Sequence, residues 1–211
     1  MNKKIVHDAL VLTAFTLILG FILGAVNEIT KEPIAAANKA AQDAAYQEVF
    51  KDAETFEDNA DFSAEKAAEI VAEGGYSNDE ITAVSNALDA SGNVIGYVIT
   101  VTSHEGSQAD ITFSVGIQND GTVNGYSITS ISETPGLGDL VNAEGDPKKE
   151  DDVFKKQFNN KNVETFTVVK TESTADNEIE AVTGATISSK AVTNGVNACL
   201  VYFRTALQGG N

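Results

Sequence analysis

An uncharged run of 18 residues near the N-terminus, residues 9–26, restricts the fold of this chain more than any other feature. A helix of that length rises about 27 Å, which is close to the hydrocarbon thickness of a bilayer. A signal peptide is the alternative, but its apolar core is normally shorter, and neither a small-residue cleavage pattern nor a lipobox cysteine follows Val26. We therefore expect an uncleaved, single-pass anchor in the cell membrane. Lys3 and Lys4 predict a cytoplasmic N-terminus, which leaves the rest of the chain on the extracytoplasmic side.

Charge and composition exclude several classes of function. The chain has 211 residues, with 14 basic and 31 acidic side chains and a formal net charge of -17. Such a surface repels polyanions, so we expect no nucleic-acid partner. The single cysteine, Cys199, cannot build a disulfide, an iron–sulfur cluster or a thiolate zinc site within the chain. His7 and His104 have no metal-ligand spacing with each other, so we also expect no metal site.

The region after the uncharged run is predicted to be helical. Pro33 suits a first helical turn, so we expect a new, alanine-rich helix over residues 34–50. Residues 55–62 form an acidic connection with little structural signal. A second short helix is predicted from Ser63, as its N-cap, to Gly74.

From residue 80 onward the pattern changes to that of strands. Residues 81–88, 94–101, 111–117 and 123–131 alternate or run apolar, and turn residues separate them. They predict two β-hairpins and a four-stranded, mainly antiparallel sheet. Further elements are then expected in order: a short helix from Asp151 through Phe158, a fifth strand at residues 165–169, an acidic loop over residues 171–180 and a last helix to about Leu207.

The fold class is therefore α+β. We expect an N-terminal transmembrane helix, followed by an extracytoplasmic domain whose antiparallel sheet is flanked by helices. The predicted organisation is a transmembrane anchor at 1–30, a helical spacer at 31–75 and the main domain at 76–211.

A glycine-rich loop follows the second hairpin. The turn of residues 134–137 fits type II, with Pro135 in its second position and Gly136 in its third. Such a turn exposes backbone polar groups and lets a flat ring approach closely. By itself, however, it predicts only a turn.

A second loop, Thr183-Gly184-Ala185-Thr186, leads into the last helix. Threonine and serine stand where helix caps belong, and Gly184 and Ala185 remove side-chain bulk. A helix start offers unpaired N–H groups and the positive end of the dipole, so it suits a phosphate. On composition alone, an ordinary capped helix explains this stretch as well.

Two motifs change this interpretation. The tetrad Thr183-Gly184-Ala185-Thr186, followed by two serines, resembles the [S/T]GAT signature of proteins that carry FMN as a phosphoester on threonine. The resemblance implies Thr186 as the attachment point. The family usually has Asp three residues before the tetrad, where this chain has Glu180, which keeps the charge. The loop at 133–138 resembles the second signature of the same family, ETPGLG, without a mismatch.

With its N-terminal anchor, its acidic domain and both motifs, the chain resembles the G subunit of the Rnf complex. The resemblance implies a subunit of a membrane-bound ferredoxin:NAD⁺ oxidoreductase that couples electron transfer to Na⁺ or H⁺ translocation. Such a subunit carries one covalent FMN, relays electrons to other membrane and soluble subunits, and needs a flavin transferase for maturation. The C subunit of the sodium-pumping NADH:quinone reductase shares both motifs and is the nearest alternative. A membrane-anchored binding or assembly module without redox function is the alternative from a different class.

The resemblance assigns two groups of residues to FMN. No candidate general acid, base or nucleophile stands beside the motifs, so we expect an electron carrier with no catalytic residue of its own. Two alternatives stay open for Lys190: it neutralises the charge of the phosphate, or it points into solvent. The residues expected around the phosphate are Thr183, Gly184, Ala185, Thr186, Ser188 and Ser189, and those around the ring are Glu133, Thr134, Pro135, Gly136, Leu137 and Gly138.

Overall fold

The computed structural model describes residues 3–142 and 154–208 and divides into two compact units, 1–41 and 42–211. One long helix, α1 (Lys3–Val49), begins in the first unit and ends in the second. In the described part of the chain it is the one helix long and apolar enough to cross a membrane, and no part of its apolar window is buried. This supports the predicted span by length and composition. The three-part division at 1–30, 31–75 and 76–211 stays a prediction.

The predicted helix break at Pro33 is wrong. Proline lies inside α1, which continues to Val49 without interruption. A proline in a helix interior removes one backbone hydrogen bond and costs about 3 kcal/mol. The residues on both sides favour helix strongly, with an apolar run before Pro33 and alanine-rich sequence after it, so the helix tolerates this cost.

The centre of the second unit is a five-stranded antiparallel sheet in which each strand pairs with its neighbours in sequence. The two predicted hairpins are confirmed as the pairs β2–β3 and β4–β5. Aspartate shapes the first hairpin turn, because Asp89 Oδ1 accepts hydrogen bonds from the backbone N–H groups of Ser91 and Asn93. The strands are β1 (Thr55–Asp58), β2 (Asp79–Leu88), β3 (Val94–Ser103), β4 (Ile111–Gln118) and β5 (Val123–Ser130).

Strand β1 lies in the segment that we expected to be a connection. It is four residues long, pairs with β2 at the edge of the sheet, and its side chains are mostly exposed. An edge strand that buries little needs no apolar alternation, so the acidic sequence of this segment carries no strand signal.

Helices cover both faces of the sheet. Neighbouring residues of a strand point to opposite faces. Ile99 accordingly belongs to the main core, which includes α2 (Ala64–Glu73) and α3 (Thr186–Tyr202), while Val98 packs with the end of α1 through Tyr46 and Phe50. As predicted, the Ser63 side chain caps α2, accepting from the Lys66 N–H at 3.5 Å, and Gly74 ends that helix. The predicted α+β class, with an antiparallel sheet flanked by helices, is confirmed.

The C-terminal part adds short elements after β5 in the sequence. Two 3₁₀ helices span Gly138–Asn142 and Phe154–Phe158. The predicted helix start at Asp151 lies outside the described residues. The predicted fifth strand exists as β6 (Thr167–Val169), but it forms a separate parallel pair with β7 (Glu178–Glu180), the last three residues of the expected acidic loop. A π-helical turn, Phe203–Leu207, extends α3 to the predicted end.

Candidate functional site

The loop after β5 folds into the predicted turn. The Leu137 N–H donates to the Thr134 carbonyl at 3.1 Å, and Gly136 has a φ of 73°. A positive φ at the third position defines a type II turn. The exposed residues of the loop are 134–137, while Glu133 and Gly138 at its two ends are buried. The tip of the turn is therefore open to a ligand, and its ends are embedded in the protein.

A buried tyrosine holds the far side of this loop. The Tyr126 hydroxyl donates to the Val141 carbonyl at 2.5 Å, and both residues are almost fully buried. Burial raises the pKa of Tyr126 well above its ordinary value, so the hydroxyl keeps the proton that it donates. Because Val141 lies in the 3₁₀ helix directly after the turn, this bond fixes the exit of the loop to the sheet.

The tetrad lies where a turn becomes α3. Gly184 has a φ of 84°, and the Ala185 N–H donates to the Val182 carbonyl at 2.9 Å. Ala185 is consequently the N-cap residue, with no side-chain cap, and Thr186 is the first residue of the helix. The expectation that a threonine or serine hydroxyl caps α3 is wrong. Because Gly184 has a positive φ and closes a turn with Ala185, an alanine occupies the N-cap position. Thr183 and Gly184 are exposed, and Thr186 is half-buried.

The two serines after the tetrad are buried and bonded to other parts of the protein. The Ser188 hydroxyl donates to Glu133 Oε2 at 3.0 Å. The Ser189 hydroxyl accepts from the Val182 N–H at 3.0 Å and donates to the Ala185 carbonyl at 2.9 Å. Both hydroxyls therefore stabilise the start of α3. Their assignment to a phosphate stays a prediction, as do the other assignments to FMN.

The structure brings the two motifs together. A Cβ built on Gly184 would lie 3.2 Å from Leu137 Cδ2, and Ser188 bonds to Glu133. Each of the two segments also has an exposed apolar side chain: Leu137 is 43% and Ile187 is 59% exposed. Thr186 precedes Ile187 directly. A half-buried threonine at an uncapped helix start thus lies beside an apolar, glycine-lined surface, an arrangement that fits a phosphate joined to a flat aromatic ring.

A third loop reaches the site and was missed in the sequence. The backbone N–H groups of Ser107 and Gln108 donate to Glu133 Oε1 at 2.6 and 3.3 Å. The sequence predicts only a turn near His104, because backbone donors have no side-chain signature. Gly106 is the one available signal: a Cβ there would lie 1.9 Å from the Ala109 carbonyl oxygen and 2.9 Å from Glu133 Oε1.

The structure also bears on Lys190 and on metal binding. Lys190 is exposed, which agrees with a side chain that points into solvent. Among residues 3–142 and 154–208, no three His, Cys, Asp or Glu side chains are arranged to hold a metal ion.

Comparison with known families identifies both parts of the chain. Residues 1–49 match the family model of the RnfG N-terminal region, and residues 106–201 match that of the FMN-binding domain. The second range begins at Gly106, in the third loop, and ends within α3.

Relatives of named function match over most of the chain. The G subunit of the Na⁺-translocating ferredoxin:NAD⁺ oxidoreductase complex of Acetobacterium woodii is 32% identical over 96% of this chain and 93% of its own length. The G subunit of the proton-translocating complex of Clostridium ljungdahlii is 40% identical over 58% of this chain and 61% of its own length. The crystal structure of Shewanella oneidensis NqrC superposes with a TM-score of 0.45 and 22% identity, covering 58% of each chain. By the first of these matches and the two family models, the chain belongs to the RnfG family, the G subunits of the ion-translocating ferredoxin:NAD⁺ oxidoreductases known as Rnf complexes.

Proposed function

We propose that this chain is an electron-relay subunit that carries FMN as a phosphoester on Thr186. The observation that carries the proposal is the meeting of the two motifs: Thr186 begins an uncapped helix whose preceding glycine lies against Leu137 of the type II turn. A tethered FMN needs its phosphate at the first of these places and its ring near the second.

The phosphate end fits the start of α3. Thr183, Gly184 and Ala185 offer little bulk, and the N-cap residue contributes no side-chain oxygen to the first N–H groups of the helix. An anion at such a position gains about 0.3–1 kcal/mol from the helix dipole, in addition to hydrogen bonds from the backbone. Ser188 and Ser189 support the phosphate indirectly, since their hydroxyls fix the first turn of the helix.

The ring fits the surface beside the tetrad. A Cβ built on Gly136 meets no atom of residues 3–142 and 154–208 within 4 Å, so these residues leave space over the tip of the turn. Leu137 supplies an exposed apolar wall, and Ile187, which the sequence interpretation left out, supplies a second exposed apolar side chain next to the attachment residue. Both side chains are exposed, so each is accessible to a ring that is attached through Thr186.

The electron chemistry belongs to the cofactor, because FMN can exchange electrons one or two at a time. The chain's own contribution is to hold the phosphate, orient the ring and prevent loss of the cofactor. A tether through the phosphate leaves the ring itself chemically unmodified. It also retains the cofactor on a side of the membrane where little free FMN is available.

The family implies a larger assembly. The matching relatives are named as subunits of Na⁺-translocating and proton-translocating ferredoxin:NAD⁺ oxidoreductase complexes. We therefore propose that this subunit works with other membrane and soluble subunits of an Rnf-type complex, in ferredoxin:NAD⁺ electron transfer coupled to Na⁺ or H⁺ movement. A flavin transferase is the proposed partner in its maturation.

We further propose that α1 anchors the subunit with its N-terminus in the cytoplasm and residues 42–211 on the extracytoplasmic side. Lys3 and Lys4 support this orientation by the positive-inside rule. A reporter enzyme active only outside the cytoplasm, fused after Leu207, should be active in cells. An inactive reporter, with an N-terminal fusion active instead, would reverse the orientation.

The test of FMN attachment is co-expression of the full chain with a flavin transferase, followed by a denaturing gel viewed for flavin fluorescence. We expect a fluorescent band that survives denaturation, disappears in Thr186→Val and persists in Thr183→Ser. A dark wild-type band, with the transferase proven active on a control substrate, would contradict the proposal. It would leave the alternative of a membrane-anchored assembly module.

A further inference from the structure

Glu133, which begins the loop at 133–138, has both carboxylate oxygens occupied inside the protein. It is 7% exposed. Oε1 accepts hydrogen bonds from the Ser107 and Gln108 N–H groups at 2.6 and 3.3 Å, and Oε2 accepts from the Ser188 hydroxyl at 3.0 Å. One side chain thus joins three segments that are separate in sequence: the Gly106 loop, the type II turn and the first turn of α3.

Two glycines make room for this junction. A Cβ built on Gly138 would lie 2.5 Å from Glu133 Oε2 and 2.8 Å from Ser188 Oγ, and one on Gly106 would lie 2.9 Å from Glu133 Oε1. Real Cβ atoms essentially never make contacts under 3.0 Å, so Gly138 is required while the carboxylate and the Ser188 hydroxyl stay in place. Gly138 therefore makes room for the Glu133 carboxylate and the Ser188 hydroxyl. At Gly106 the Ala109 carbonyl oxygen, 1.9 Å from the built Cβ, already excludes a side chain, and the carboxylate adds to this.

The contacts of Glu133 with Ser107, Gln108 and Ser188, here called the Glu133 junction, involve a residue of α3 that lies close to the tetrad in the sequence. Ser188 lies two residues after Thr186 in the same helical turn, and it is only 1% exposed. Because the hydroxyl of Ser188 and the turn of Leu137 are tied to the same carboxylate, the attachment threonine and the ring surface cannot shift independently.

We infer that Glu133 is a positioning residue, which through Ser188 and the Gly106–Gln108 loop sets the orientation of the flavin ring relative to Thr186. The inference rests on the proposed function for the identity of the ligand, while the junction itself is a property of the chain. In this role Glu133 acts on the ring through other segments of the protein, since its carboxylate is buried and accepts hydrogen bonds from Ser107, Gln108 and Ser188.

The first test examines the junction without FMN, by hydrogen exchange of the full chain expressed without transferase. Glu133→Ala removes the acceptor of three bonds, so we expect faster amide exchange at residues 106–110 and 182–189, with exchange in β2 and β3 unchanged. Glu178→Gln is the matched control, because Glu178 also accepts from a backbone N–H and a hydroxyl, both of Thr174. Unchanged exchange at both segments in Glu133→Ala would overturn the junction.

The second test examines the ring in protein matured with the transferase, by visible circular dichroism and flavin fluorescence anisotropy. Glu133→Ala should lose most of the induced dichroism and lower the anisotropy, and Ser188→Ala should change both in the same direction. Glu133→Gln should restore near-wild-type signals. Its amide oxygen can accept from the two N–H groups while its NH₂ donates to the Ser188 hydroxyl.

The outcomes separate the two claims. A wild-type chain that never acquires flavin defeats the proposed function, and hydrogen exchange then decides the junction alone. Wild-type flavin signals in Glu133→Ala would overturn the positioning role, and so would equal perturbation by Gln and Ala, because that points to direct contact of the charge with the ring. If Glu133→Ala does not fold, Ser188→Ala decides, and wild-type flavin signals in that variant contradict the inference.

Discussion

The side chain of Leu137 lies against Gly184, so that a Cβ built on this glycine would come within 3.2 Å of Leu137 Cδ2. Leu137 ends the type II turn, and Gly184 is the second residue of the tetrad, with 46 residues between them in the sequence. Glycine also permits the φ of 84° at this position. This contact is the direct meeting point of the two motifs.

The contact predicts the effect of Gly184→Ala. A non-glycine residue at positive φ costs about 1–2 kcal/mol, and here the new methyl group would also press on Leu137. We expect the free energy of unfolding of the full chain to fall by about 2 kcal/mol in urea titrations.

Two matched variants separate strain from contact. Gly136 (φ 73°) and Gly92 (φ 79°) have similar φ angles, but a Cβ on either would meet no atom of the described part of the chain within 4 Å. Gly136→Ala and Gly92→Ala should therefore lower the free energy of unfolding only by the cost of an alanine at positive φ. Leu137→Ala should lower the free energy of unfolding less in the Gly184→Ala background than in the wild-type chain. Strict additivity of the two changes would refute the contact.

Much of the fold follows from the sequence because its signals are local. Residues 81–88 and 94–101 are largely apolar and flank a turn that Asp89 shapes, so the hairpin is predictable. Ser63 and Gly74 likewise begin and end α2 through their own side-chain and backbone properties. The continuous helix through Pro33 was not predictable in this way, since its persistence depends on the helix preference of both flanks.

The candidate site was predictable only in part. The motifs point to Thr186 and Leu137 as candidate residues, and the glycines of both loops carry a signal. The participation of Ser107 and Gln108 was not predictable, because it depends on backbone N–H groups brought to Glu133 by the fold. The apolar exposure of Ile187 is also visible only when neighbouring residues are seen to be buried.

A buried carboxyl group predicts how stability depends on pH. Burial is the main cause that raises the pKa of Asp79 to about 6, and the charge of Glu105 adds to it, while Ser103 and His104 offset part of the rise. Within the described residues neither carboxylate oxygen of Asp79 has a hydrogen-bond partner, and neither has the Ser103 hydroxyl. The charged form of Asp79 is therefore disfavoured in the folded protein.

The sign follows from this raised pKa. The folded state binds the proton more tightly than the unfolded state, so the contribution is favourable below about pH 4 and is lost as the pH rises through about 6. Asp79→Asn should increase the free energy of unfolding by about 1–3 kcal/mol at about pH 8 and by little at about pH 4.

Asp89 is the control for this prediction, because its pKa shifts in the opposite direction. Hydrogen bonds from Asn93, from its side chain first, lower the pKa of the exposed Asp89. Its contribution is present above about pH 4 and is lost as the pH falls further, so Asp89→Asn should destabilise the protein at neutral pH. Equal pH profiles for Asp79→Asn and the wild-type chain would contradict the account of Asp79.

The single thiol should be unreactive in the folded protein. Cys199 is fully buried in α3, and burial, together with the negative charge of Asp79, raises the pKa of its thiol well above the ordinary value. Because the thiolate is the reactive form, alkylation should be about a hundredfold slower or more in the native state than in urea. The rate can be measured by mass spectrometry of the full chain.

An exposed thiol provides the reference for this rate. Ser91 lies exposed in the β2–β3 turn, so Ser91→Cys in a Cys199→Ala background should react at the rate of a free peptide thiol. Native alkylation of Cys199 at a comparable rate would show that α3 opens readily, which the packing described above does not allow.

The most direct test of the account is the location of FMN in a peptide of the matured protein. Trypsin cleaves after Lys170 and Lys190 and so releases residues 171–190, which contain both threonines of the tetrad. In tandem mass spectrometry we predict an added mass of FMN less one water on every fragment that includes Thr186 and on none that ends at Ala185. The same mass on Thr183, or an unmodified peptide from protein matured by an active transferase, would contradict the account.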